Sequence, residues 1–70
     1  LEFSNTSFKD IIIKIEKTYD VTIQSNFETH QSFTGKIPTD NLNVALQIIA
    51  STYHLQIQTK NSTEYELIVK

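Results

Sequence analysis

The chain has 70 residues, 6 basic side chains against 8 acidic ones, 39% hydrophobic residues, one Gly, one Pro and no Cys, Met or Trp. Such a length allows one domain with a barely sufficient core, and without cysteine neither disulfides nor a thiolate metal site can reinforce it. Every basic residue is lysine and the net charge is −2, so nucleic acid and anionic membranes are not expected partners, and a single glycine excludes the loops that cradle nucleotide phosphates.

Leu1 and Phe3 flank Glu2 as a short opening strand. Phe8, Ile11, Ile12, Ile15 and Tyr19 then recur at helical spacing, which predicts an amphipathic helix from near Thr6 to near Asp20. Asn5, Thr6 and Ser7 offer capping oxygens, and Asp10 suits the positive end of the helix. Val21, Ile23 and Ser25 alternate with Thr22 and Gln24 as a strand, and Phe33, Gly35 and Ile37 alternate with Ser32, Thr34 and Lys36 as another. Gly35 is expected to mark a place where a ring or a backbone packs closely onto its strand. After Pro38, one of Thr39, Asp40 or Asn41 should cap a second helix with the stripe Leu42, Ala45, Leu46, Ile49 and Tyr53. Leu55 and Ile57 alternate with Gln56 and Gln58, Lys60 to Thr63 make a turn, and Tyr65, Leu67 and Val69 close a hairpin.

The two halves align at an offset of 34 residues, pairing Phe3 with Ile37, Phe8 with Leu42, Ile12 with Leu46, Ile15 with Ile49, Tyr19 with Tyr53 and Ile23 with Ile57. That period is also the tetratricopeptide one, but each unit here contains two strands and two copies are too few to stack. The expected fold is therefore α+β, an internally duplicated βαβ–βαββ arrangement with units at about 1–25 and 31–59 and a final strand at 64–70. Ile13 and Val44 lie opposite the helix stripes and Ile48 to one side. Helices apolar beyond one face are usually covered on more than one side, so both helices are expected to lie between two small sheets. The competing reading makes Ile13, Val44 and Ile48 an exposed docking patch.

Groups that could perform chemistry do not converge. His30 and His54 fall in different elements without metal-ligand spacing and read as surface histidines, so neither metal nor cofactor is expected. Ser32 lies near His30 but lacks a nucleophile elbow. Asp10 can pair with Lys14, while Glu64 and Glu66 on the last strand suit edge protection. The triplets Asn5-Thr6-Ser7 and Asn61-Ser62-Thr63 match a glycosylation acceptor but read as a helix cap and a turn. Tyr19 and Tyr53, at matching helix ends, can bury a ring while the hydroxyl reaches a carbonyl or water. An enzyme is not expected.

Phe3-x-Asn5-Thr6-Ser7-Phe8, Ile11-Ile12-x-x-Ile15 and Tyr19-Asp20-Val21-x-Ile23 resemble the opening of the C-terminal domain of FecR-type anti-sigma regulators from Bacteroidetes. Phe33-Thr34-Gly35-x-Ile37, Leu42-x-x-Ala45-Leu46-x-x-Ile49-Ala50 and the closing Leu55-x-Ile57 and Leu67-Ile68-Val69 extend the resemblance over the whole chain, as one domain spanning 1–70. Ser7 stands where the family usually has proline, and Asp20 where it usually has glycine. The same plan occurs in the N-terminal signalling domain of TonB-dependent transducers and in secretins, which is the alternative family reading.

The resemblance implies a non-enzymatic periplasmic module of an inner-membrane regulator. Its protein partner would be the N-terminal signalling domain of an outer-membrane transducer, and a sigma factor would be held only by a separate N-terminal part. The start at Leu1 without Met suits such an excised domain. No nucleic acid and no direct membrane contact are implied. Contact is expected by strand addition at an exposed edge. Strand patterning nominates the segments Phe33–Ile37 and Tyr65–Val69, with Phe33, Thr34, Lys36, Ile37, Tyr65, Glu66, Leu67 and Ile68 as partner-binding residues. A small hydrolase or metal enzyme and a structural spacer are the alternatives from other classes.

Overall fold

Two apolar periodicities, near 3.6 and 2, divide the chain into helices and strands, and a computed structural model describes all of residues 1–70. The elements are β1 (Glu2–Ser7), α1 (Phe8–Tyr19), β2 (Thr22–Ser25), β3 (Ser32–Lys36), α2 (Leu42–Tyr53), β4 (Leu55–Asn61) and β5 (Glu64–Val69). β1 and β3 form an antiparallel two-stranded sheet. The second sheet has the order β2-β5-β4, with β2 parallel and β4 antiparallel to β5. The fold is α+β in the βαβ–βαββ arrangement expected. Neither helix is long and apolar enough to cross a membrane.

Local chemistry sets the helix boundaries. Ser7 caps α1 by accepting the Asp10 N–H at 3.3 Å, and Asn41 caps α2 by accepting the Val44 N–H at 3.2 Å. Each helix ends in a left-handed residue, Asp20 (φ 56°) and His54 (φ 57°), whose N–H returns to Glu16 O and Ala50 O respectively. Asn41 lies 34 residues after Ser7, and His54 lies 34 after Asp20, so the caps repeat with the same offset as the apolar stripes.

β1 runs longer than the short opening strand expected. Its register against β3 shifts between Phe3 and Thr6, and Asn5 (φ 50°) takes the left-handed conformation at this irregularity. An asparagine tolerates that backbone at low cost. Asn5 is therefore a bulge residue rather than a helix cap; its N–H donates to Thr34 Oγ1 at 2.9 Å.

The 14 buried residues form one cluster drawn from both helices and both sheets, and no polar or charged residue is buried with them. Phe3 and Ile37 enter from the β1–β3 side, and Ile23, Leu55 and Leu67 from the other sheet. Ile48 is half-buried against this cluster, but Ile13 and Val44 each remain 39% exposed. The cover expected over the second face of each helix therefore does not reach those two side chains. Gly35 meets its expectation through a neighbour on its own strand, because a Cβ there would lie 2.9 Å from Cζ of the Phe33 ring.

Candidate functional site

The eight residues nominated for partner contact occupy dissimilar positions. On β3, Thr34 and Lys36 are exposed, and Lys36 Nζ lies 3.5 Å from the Glu2 carboxylate. Phe33 turns inward, half-buried, with its ring edge-on to Phe3 at 6.1 Å. Ile37 is only 1% exposed and belongs to the core. β3 pairs with β1 alone, so its other edge is open.

The expectation of an edge at Tyr65–Val69 is corrected by the topology. β5 is the central strand, with residues 64–67 paired to β2 and residues 64–69 paired to β4. No further strand can join it along that paired length. Leu67 is core at 1% exposure, Tyr65 is half-buried, and Glu66 pairs with Lys60 at 3.4 Å; only Ile68 is exposed. A hairpin reveals one partner of its second strand, whereas the parallel partner β2 lies some forty residues earlier in sequence.

Sequence reading did not nominate the open edges of β1, β2 and β4, and of these the β2 edge runs beside α1. Thr22 N–H donates to Thr63 O at 2.8 Å, so Thr22 and Gln24 direct their main-chain groups toward β5. Ile23 and Ser25 consequently direct theirs away from the sheet. Glu16 Oε2 of α1 accepts the Ile23 N–H at 2.8 Å. Nothing in the sequence signals this contact, because Glu16 reads as an ordinary solvent-facing helix charge.

Beside this edge lies a groove of about 710 Å³, within the size range of cavities that hold small ligands or short peptides. Phe8, Ile12 and Ile13 of α1 line one wall, with Ile23 and Ser25 of β2 and Phe27 of the following loop opposite. Phe27 is fixed by edge-to-face contacts with Phe8 (5.3 Å) and Tyr53 (5.8 Å), which also face each other at 4.9 Å. The Tyr53 hydroxyl donates to Gln31 O at 3.2 Å and so fastens the far end of the same loop. Burial pushes that hydroxyl above its ordinary pKa of 10.0, which keeps it a neutral donor. Tyr19 does the equivalent work for the loop before α2, donating to Pro38 O and accepting the Asn41 N–H at 3.2 Å.

His30 and His54 are both exposed, His30 on the groove wall and His54 at the end of α2. No three His, Asp or Glu side chains come together in a way that could hold a metal ion. What the molecule presents is main-chain hydrogen-bonding capacity at strand edges beside apolar side chains, the equipment of a protein-contact surface.

The family profile described as FecR, C-terminal, matches residues 1–65. The chain belongs to the FecR C-terminal family. This FecR C-terminal domain also shares its fold with a crystal structure from Parabacteroides distasonis ATCC 8503, described as that of a candidate anti-sigma factor, at a TM-score of 0.84 and 18% sequence identity. The similarity covers 100% of the present chain and 34% of that protein, so the domain spans about a third of its length. No curated protein matches the chain.

Proposed function

We propose that this FecR C-terminal domain is a non-enzymatic protein-interaction module of a transmembrane anti-sigma regulator. It lies in the periplasm and receives a signal from the N-terminal signalling domain of a TonB-dependent transducer in the outer membrane. The sigma factor is held by a separate cytoplasmic part of the regulator. The family match over residues 1–65 carries this reading and favours the regulator over the transducer or secretin alternative. The open edges of β2 and β3 support it, since strand addition supplies affinity through main-chain hydrogen bonds and specificity through alternate side chains.

Calorimetric titration of the domain with signalling domains of TonB-dependent transducers from the same organism tests the reading. One of them should form a saturable one-to-one complex, and the others should not. Absence of binding by every one of them would overturn the assignment.

A further inference from the structure

The two sheets leave four outer edges open, on β1, β3, β2 and β4, and the surroundings of the β2 edge differ from those of the nominated β3 edge. Along β3 the outward main-chain groups belong to Thr34 and Lys36, both exposed and away from the groove. Along β2 the outward groups belong to Ile23 and Ser25, and both residues line the groove against α1. Ile23 N–H is already engaged by the Glu16 carboxylate at 2.8 Å. A side chain held across an edge amide is a recognised means of preventing indiscriminate strand pairing. The same placement leaves the edge intact for a strand able to displace it.

We propose that the β2 edge receives an extended, lysine- or arginine-bearing segment of the partner protein as a fourth strand of the β2-β5-β4 sheet, with Glu16 as its guard. The proposal rests on the functional reading above for the partner's identity alone. A carbonyl of the incoming strand replaces Glu16 on the Ile23 amide, and another takes the Ser25 amide. The released Glu16 carboxylate then needs a cation. In the lining Glu28 is matched by Lys9, and Glu16 belongs to neither of the two ion pairs of the domain, so its carboxylate is the charge left to be met. Charge complementarity therefore selects a basic segment, in keeping with the net charge of −2 for the whole domain. Every second side chain of the added strand turns toward Ile12, Ile13 and Phe27, which gives the 39% exposure of Ile13 a use.

Proline at an outward-facing edge amide is compatible with the sheet, so Ser25→Pro removes the donor without disturbing the β5 ladder, whereas Ser25→Ala removes only the Oγ that accepts the Phe27 N–H at 3.1 Å and should bind as the unaltered domain does. Measured by calorimetry against the transducer signalling domain, Ser25→Pro should weaken binding by about tenfold or more, the effect of losing one main-chain hydrogen bond from a desolvated edge. Thr34→Pro, on the competing β3 edge, should leave the affinity unchanged. Unaltered affinity in a folded Ser25→Pro domain overturns the proposal whatever Thr34→Pro does. Should Ser25→Pro fail to fold, Ile13→Lys at an exposed wall position should weaken binding in the same direction, and unaltered affinity there overturns it equally.

A second arm separates the edge from the functional reading. The domain is titrated with acetyl-Lys-Val-Lys-Val-Lys-Val-amide and with its Glu-Val counterpart while the Ile23 and Ser25 amide resonances are followed. Shifts at both amides with the basic peptide alone support the edge, even where no signalling domain binds and the functional reading fails. No shift, or equal shifts with both peptides, removes the edge.

Discussion

Helix α1 carries three lysines, an aspartate and a glutamate, whereas α2, also 12 residues long, carries no charged residue at all. Both have an apolar stripe at the same spacing and caps at equivalent positions, so the difference reflects surroundings and not helix formation. α2 buries five side chains and keeps Ile48 half-buried, with Tyr53 only 4% exposed at its end. α1 buries four, leaves Tyr19 half-buried, and turns a charged flank toward the groove and the β2 edge. The two units thus share the core nearly evenly, and they differ in that α1 alone keeps a charged flank.

Substitutions in the core should have the greatest consequence. Ile15 and Ile49, one repeat apart and both fully buried, should each cost about 2–5 kcal/mol when replaced by alanine, a large share of the stability of so small a domain. Urea titration followed by circular dichroism measures both. A cost under ~1 kcal/mol at one position alone would show that the two units do not share the core evenly.

The tyrosine pair sharpens the comparison at a smaller scale. The Tyr19 hydroxyl makes two hydrogen bonds and that of Tyr53 makes one, so Tyr19→Phe should cost about 1–2 kcal/mol and Tyr53→Phe about 1 kcal/mol. The reverse order would mean that the single bond of Tyr53 to Gln31 outweighs the two made by Tyr19. Tyr53 also has a pH signature. Its pKa is raised above 10.0 by burial, so the unfolded chain gives up this proton first on alkalinisation. The folded state then holds more protons, and stability, constant below about pH 10, falls as pH rises toward the raised folded value. Tyr53→Phe should flatten part of that fall in alkaline thermal melts; an unchanged slope would assign the loss to other groups.

The smallest effects are expected at the left-handed helix ends. Glycine adopts that backbone freely, aspartate at modest cost, and histidine less readily than aspartate when its imidazole cannot fold back on the chain. His54→Gly should therefore stabilise by up to about 1 kcal/mol, and Asp20→Gly by about half as much. In a domain of this size, ~1 kcal/mol raises Tm by about 4–8 °C, well within calorimetric resolution. Equal or opposite shifts at the two ends would show that their surroundings, and not the cap residue, set the cost.

Alternation and helical spacing were sufficient to read seven elements in order, with α2 beginning at Leu42 and both helices ending at tyrosine. These features are local: an apolar stripe, a capping oxygen or a left-handed end depends on residues within a few positions of each other. The repeat added the equivalence of the two units, and the ordered core patterns carried the family resemblance that the profile match over residues 1–65 established. Strand neighbours were decided elsewhere. The alternation of β5 records that one of its faces is buried and says nothing of its edges, and the strand lies between β2 and β4. Likewise Glu16, legible only as a helix charge, accepts the Ile23 N–H at the β2 edge because α1 folds beside β2. Which segments are helix and which are strand follows from short-range periodicity, and is therefore written locally in the chain. Only the tertiary structure decided which edges stay open, because pairing brings together residues far apart in the chain, where no local pattern records the choice.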